Sequence, residues 1–224
     1  MISGHGPPAE PAGCRVLEPG SGTGRATAFL ARTAGRVVSF DLTPEMVVVA
    51  RRRSAANPRV SVLVADLRDV RLAARFDLVA AVDDPFVHLT KDSDRERAFA
   101  TIAEHLAPGG RFLLDAAWFP PELRHTAEEN GLVTDREADG GLTVREAWSC
   151  EAESRLCTTR FEYRIDGRLE AKASFPARLW SLEELEGRAH AASLAITCKW
   201  GDYDRRPWDR GTSPRLITEM RRPG

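Results

Sequence analysis

Val16-Leu17-Glu18-Pro19-Gly20-Ser21-Gly22-Thr23-Gly24-Arg25 is an apolar strand that runs into an acid and then into three glycines at alternate positions. Glycine lacks a Cβ, so it takes positive φ and lets backbone approach a ligand that a larger side chain would push away. The Ala-rich segment that follows, through Phe29 and Leu30, sets a helix N-terminus beside that ligand. The spacing is G-x-G-x-G, whereas dinucleotide sites use G-x-G-x-x-G and seat a pyrophosphate on the helix. Glu18 stands directly before the loop, where it repels phosphates and can accept a hydrogen bond from an ammonium group. The ligand expected here is a cationic nucleoside; the plainer alternative is a tight strand-to-helix turn with no ligand.

Working outward, strands and helices alternate. Arg36 to Asp41 is a second short apolar strand that ends in a carboxylate about 20 residues after the glycines, the distance at which an acid meets ribose hydroxyls. Thr43-Pro44 starts a helix with Thr43 as N-cap and Pro44 at the first helical position. A third strand, Val60 to Ala65, ends at Asp66-Leu67, and a fourth, Phe76 to Val82, ends at Asp83-Asp84. Ser93-Asp94-Arg95-Glu96 reads as a capping box, and Phe99, Ile102, Ala103 and Leu106 follow on one helical face before Pro108-Gly109-Gly110. The fifth strand is Arg111 to Asp115. This order predicts βαβ units and a parallel sheet.

Between residues 122 and 178 the period changes. Leu142 to Trp148 alternates loosely, and Arg155 to Ile165 and Arg168 to Arg178 flank Asp166-Gly167, a pair suited to a type I′ hairpin. The segment reads as an antiparallel insertion hanging over the crevice at the carboxyl ends of the parallel strands, serving either as a substrate cover or as a dimer-forming hairpin. A second capping box, Ser181-Leu182-Glu183-Glu184, opens the last helix, and strands follow over Leu194 to Trp200 and Arg215 to Met220.

Composition narrows the class. The 224 residues are 42% hydrophobic and 29% charged, enough for one substantial core. Thirty-two Lys and Arg balance 33 Asp and Glu, giving a net charge of −1 with no basic cluster, so no nucleic-acid substrate is expected. Cys14, Cys150, Cys157 and Cys198 form no C-x-x-C pair and have no nearby His at metal spacing, so four free thiols and no metal are expected. No apolar run approaches a membrane span and no signal peptide is evident, which predicts a cytoplasmic protein with no membrane partner.

Leu17 to Arg25, Asp41 with Leu42 and Met46, Ala65-Asp66-Leu67, Phe76 to Val79 and Leu106 to Phe112 together resemble the class I methyltransferases that use S-adenosylmethionine. The resemblance covers residues 14 to 116. The runs Trp180 to Leu185 and Gly201 to Pro207 look like the small-molecule branch of that family, which includes enzymes that N-methylate amino sugars and amines. It implies a Rossmann-like, doubly wound, seven-stranded, mostly parallel sheet with the antiparallel insertion after strand 5. Residues 14–121 and 179–224 would form the cofactor-binding core and residues 122–178 the insertion.

The resemblance also implies roles. Glu18 and the loop at Gly20, Ser21, Gly22 and Gly24 would surround the methionine end of the cofactor, and Asp41 would grip the ribose. Leu42 and Met46 would sandwich the adenine, Asp66 would meet its exocyclic amine with Leu67 alongside, and Val82 with Asp83 would close the floor near the sulfonium. For Met46 and Leu67, ordinary core packing is the competing explanation. An amine acceptor must lose a proton, and the candidates for taking it are Asp84, His88 and Asp115, with core packing the alternative for His88. Trp118, Phe119 and Tyr203 are candidates for the wall of a small-molecule acceptor pocket, or else simply core edge.

Members of the family carry helices before the first strand that close over the cofactor. Here 13 residues precede Cys14, with Pro7, Pro8 and Pro11 among them, and residues 1–13 read as a short flexible tail. The cover is then expected from the insertion, from a second copy in a homodimer, or from another protein in a heteromeric complex. Methyl transfer to nitrogen or oxygen of a small molecule in specialised metabolism is the leading expectation. The same fold also hosts non-methylating cyclisations or displacements, for which Asp83, Asp84 and Asp115 would serve as bases, and non-catalytic cofactor-binding subunits.

Overall fold

The computed structural model describes residues 13–138 and 140–223; the expected tail, apart from Gly13, lies outside them. β1 (Arg15–Pro19), β2 (Arg36–Asp41), β3 (Val60–Val64), β4 (Phe76–Ala81) and β5 (Leu106–Ala116) run parallel to one another. β10 (Ala195–Trp200) and β11 (Leu216–Arg221) complete a seven-stranded sheet in the order β10-β11-β5-β4-β1-β2-β3, with β11 antiparallel to both of its neighbours. The order reverses between β1 and β4, and that switch point opens a crevice at the strands' carboxyl ends.

Side chains alternate across this sheet as a doubly covered sheet demands. Val16, Val37, Leu78 and Leu113 face one way, toward Leu30 of α1 (Arg25–Leu30). Leu17, Val79, Phe112 and Leu114 face the other way, toward Phe99 and Ile102 of α3 (Asp92–His105) and Leu185 of α5 (Leu182–Ala191). Val47 and Ala50 of α2 (Pro44–Ser54) pack on Val62 of β3.

The start of α2 follows the sequence: Thr43 is the N-cap and Pro44 the first helical residue. The Thr43 hydroxyl makes no cap bond; instead the Thr43 N–H donates to Asp41 Oδ1 at 2.9 Å. Ser181 does cap α5, its Oγ accepting from the Glu184 N–H at 3.0 Å. The capping box expected at Ser93 does not form. α3 starts earlier, at Asp92 behind the N-cap Lys91, so Ser93 already lies inside the first turn of the helix and cannot cap it.

After β5, α4 (Pro121–Glu129) leads into a separate four-stranded antiparallel sheet of β6 (Leu132–Ala138), β7 (Leu142–Cys150), β8 (Leu156–Ile165) and β9 (Arg168–Arg178). Asp166 and Gly167 turn β8 into β9 with φ of 49° and 80°, the two left-handed residues a type I′ turn requires. Neither α4 nor β6 is marked by the sequence pattern. The expectation of four free thiols is corrected here: Cys150 and Cys157 form a disulfide, while Cys14 and Cys198 are thiols. The two half-cystines are directly paired residues of β7 and β8, brought together by the short turn between those strands, which the seven-residue spacing alone did not reveal.

Candidate active site

A cavity of about 680 Å³ occupies the crevice at the carboxyl ends of β1, β2 and β4. The glycine loop supplies Glu18, Gly20, Ser21 and Gly22; the turn after β2 supplies Asp41, Leu42 and Met46; the turn after β3 supplies Asp66, Leu67 and Arg68; and the end of β4 supplies Val82, Asp83, Pro85, His88 and Leu89. Phe175 of β9 reaches in from the second sheet.

The three glycines do three different jobs. All have positive φ. A Cβ on Gly20 would lie 2.3 Å from the Pro85 Cβ, and one on Gly24, the N-cap of α1, would lie 2.9 Å from the Ala50 Cβ; both are close-packing positions. A Cβ on Gly22 would meet nothing within 4 Å, so Gly22 presents bare backbone to open space. Gly24, unlike the other two, is not among the cavity-lining residues.

Glu18 is buried, with its carboxylate accepting a hydrogen bond from the Thr27 hydroxyl. Burial pushes its pKa up to about 8, the Thr27 bond opposes the rise, and the negative charge of Asp41 adds to it. Asp41 accepts from the Gly22 N–H at 2.8 Å as well as from Thr43, so it ties the loop to the start of α2. Leu42 and Met46 are 62% and 42% exposed, which rules out core packing for Met46; Leu67 is 8% exposed and belongs to both core and wall. Asp66 is held by Arg68 through Nε at 2.9 Å and Nη2 at 2.6 Å, and this pairing lowers its pKa. The sequence carried that signal in the i, i+2 spacing of Asp66 and Arg68.

The methyltransferase-domain family matches residues 16–110. Over 200 residues the chain is 27% identical to the dTDP-3-amino-3,6-dideoxy-alpha-D-glucopyranose N,N-dimethyltransferase of Streptomyces fradiae, covering 88% of this chain and 74% of the relative. The fold is similar to that of the CcbJ methyltransferase of Streptomyces caelestis, with TM-score 0.82 at 22% identity over 95% of this chain and 90% of that one. It is also similar to S-adenosylmethionine-bound CalS10, an amino pentose methyltransferase of Micromonospora echinaspora, with TM-score 0.72 at 22% identity over 94% and 84% of the two chains. Residues 16–110 form a class I S-adenosylmethionine-dependent methyltransferase domain. S-adenosylmethionine is its cofactor, and the cavity of this methyltransferase fits that molecule. The Ser21 hydroxyl is buried with no protein partner, Gly22 leaves its wall open, and Glu18, Asp41 and Asp83 offer carboxylates to a cation.

The three acids and bases proposed for proton removal are placed very differently. His88 lines the cavity and packs edge-on against Phe175 with ring centroids 5.0 Å apart. Burial lowers its pKa, partly offset by the charge of Asp41. Asp84 lies behind the wall, buried, accepting from the Phe86 N–H at 3.0 Å, the Ala117 N–H at 2.7 Å and Trp180 Nε1 at 2.8 Å. Burial raises its pKa to about 6. Asp115 is likewise buried, taking the Tyr203 hydroxyl at 2.5 Å and Arg215 Nη1 at 2.8 Å, and burial raises its pKa against the pull of Arg215.

Asp83 and Asp84 are consecutive non-glycine residues with φ of 55° and 42°, a conformation that costs about 1–3 kcal/mol per residue and persists only where surrounding bonds enforce it. The enforcing bonds are those of Asp84 and a 3.4 Å contact from the Asp83 N–H to Asp115 Oδ2. The aromatic candidates sit apart from the cavity. Trp118 is buried against Trp208 at 5.1 Å, Phe119 packs on Trp148 at 5.2 Å, and Tyr203 lines a separate small pocket with Asp115. Phe175, which does reach the cavity, was missed because its strand gives no periodic cue to which face turns inward.

Proposed function

We propose that this methyltransferase methylates an amine nitrogen of a small molecule in a specialised, natural-product pathway. The observation that carries this reading is His88, an imidazole kept neutral by burial, standing on the cavity wall against a ring from the second sheet. The activities of the amino-sugar methyltransferases this chain resembles support nitrogen over oxygen. Bound S-adenosylmethionine supplies an electrophilic methyl group. The chain supplies position and a proton acceptor: Glu18, Ser21 and Gly22 hold the methionine end, Asp41 the ribose, and Leu42, Met46 and Leu67 the adenine, while His88 takes the amine proton. The committed bonds of Asp84 and Asp115 support structural roles for both.

We propose residues 14–121 and 179–224 as the catalytic core and 122–178 as the cover on the acceptor side. From Phe175 the rings continue outward through Phe161 at 5.5 Å and Tyr163 at 6.2 Å, an apolar wall suited to an acceptor's body. Exposed Val133, Ile165 and Leu169 on the same sheet support a second copy of the chain, or another protein, completing the cover. No helix among the described residues is long and apolar enough to cross a membrane.

The test is release of S-adenosylhomocysteine from purified protein given paired acceptors that differ only in an amino or a hydroxyl group. The amine is expected to turn over, and His88→Ala to lose about 10²–10⁴-fold in kcat with cofactor affinity unchanged. Turnover confined to the hydroxyl partner, or full activity in His88→Ala, would refute the reading.

A further inference from the structure

Arg95 is wholly buried, with a side-chain exposure of 0%, inside the core cluster that contains Phe86, Phe99, Phe112 and Trp180. An apolar side chain at such a site avoids the desolvation of a guanidinium, so a charge kept there calls for a use of its donors. Those donors go three ways. Nε donates to the Leu89 carbonyl at 2.8 Å, Nη1 to Glu184 Oε1 at 3.2 Å, and Nη2 to the Arg178 carbonyl. Its plane also lies 3.8 Å from the Trp180 ring centre, and Trp180 Nε1 donates to Asp84 at 2.8 Å.

These partners bracket the two side chains that meet on the cavity wall. Asp84 precedes and Leu89 follows the short 3₁₀ turn Pro85–His88, so both ends of the segment carrying His88 are tied to Arg95, one directly and one through Trp180. Arg178 ends β9, three residues beyond Phe175. One guanidinium thus joins a turn of the core to a strand of the second sheet. Only a rigid fork with donors in several directions makes that junction, and a lysine cannot.

We propose that Arg95 is a positioning residue for methyl transfer, setting His88 against Phe175 and so fixing where the acceptor amine and its proton acceptor meet. The proposal rests on the assignment of His88 made above.

The test follows the five histidines by NMR in the full chain, with His88→Ala supplying the assignment. Arg95→Met and Arg95→Lys are each compared with the parent protein. Glu184 keeps Arg178 at 2.9 Å and Arg155 at 2.8 Å, so removing Arg95 does not strand it. In both variants we expect loss of the ring-to-ring NOE between His88 and Phe175. We also expect the His88 titration midpoint to rise toward the ordinary imidazole value of about 6.5, with affinity for S-adenosylhomocysteine within about twofold of the parent. An unchanged NOE and midpoint in a folded variant overturns the proposal, as does rescue by lysine or a parallel fall in S-adenosylhomocysteine affinity. If neither variant folds, Trp180→Phe, which removes the bond to Asp84 and keeps the ring, is held to the same NOE and midpoint. Failure of the His88 assignment is read separately, in turnover by His88→Ala, because the NMR readouts need no acceptor.

Discussion

Glu18 should make cofactor binding expel a proton. Its carboxyl, with a pKa near 8 in the ligand-free protein, is protonated in roughly nine of ten molecules at pH 7. A cation brought against it favours the carboxylate and returns the pKa toward its ordinary value of 4.5. Each pKa step is worth about 1.4 kcal/mol, so full reversal would be worth up to about 5 kcal/mol, an upper bound for a group this buried. The expected signature is an association constant for S-adenosylmethionine that rises close to tenfold from pH 6 to pH 7, with about 0.9 proton released at pH 7. The sign for the free protein is opposite. A carboxyl raised in the folded state contributes stability that is complete below 4.5 and is lost as pH rises through about 8, so alkaline destabilisation is expected without cofactor and relief of it with cofactor. Calorimetry at pH 6 to 7 in two buffers of different ionisation enthalpy measures the protons directly. The cofactor's own α-amino group titrates near 7.7–8.0, so Glu18→Gln, which keeps the shape and removes the titration, is the subtraction control. Equal proton release in the parent and Glu18→Gln, or pH-independent affinity in the parent, would refute the reasoning.

The loop glycines should separate by phenotype: Gly20→Ala is expected to lower the melting temperature because its Cβ meets Pro85 at 2.3 Å, whereas Gly22→Val is expected to fold and to lose cofactor binding, with thermal melting and calorimetry as the two readouts. Asp41→Ala should weaken cofactor binding by at least about tenfold, since bonds to a charged group contribute about 1.5–3 kcal/mol each. It should also cost about 1 kcal/mol of stability, because it leaves the N–H groups of Gly22 and Thr43 without their acceptor. Reduction of Cys150–Cys157 should destabilise by about 2 kcal/mol, the loop entropy of a seven-residue separation, and a melt unchanged by dithiothreitol would count against the crosslink.

Much of this site was legible because class I chemistry is placed by topology. A parallel strand that ends at a crevice delivers its next one or two residues into it, so Glu18, Asp41, Asp66 and Asp83 could be located from strand ends alone, and all four line the cavity. Asp84 follows the end of β4 and Asp115 is the penultimate residue of β5, yet both turn behind the wall. The sequence gives the position of a residue along a strand but not the left-handed backbone that rotates Asp84 inward, and two successive positive φ values at aspartates have no local cue. The second sheet was legible only as far as its hairpin, since Asp166-Gly167 has turn chemistry, whereas β6 and α4 are held by contacts far away in sequence.

The same limit applies to Arg95, whose place inside Ser93-Asp94-Arg95-Glu96 gives no sign of its burial. Its neighbours in sequence are Asp94 and Glu96, and its neighbours in space are Leu89 and Trp180 of the core together with Arg178 at the end of β9. A residue that depends on both sheets for its burial is one whose bonds report their relative placement. The contact of His88 with Phe175 joins the same two sheets, so side chains that meet on the cavity wall and side chains that fasten the sheets together are expected to be coupled. Substitutions along β9 remote from the cavity are therefore expected to alter acceptor use before they alter cofactor affinity, because the Glu18, Gly22 and Asp41 side of the cavity is built from the core sheet alone.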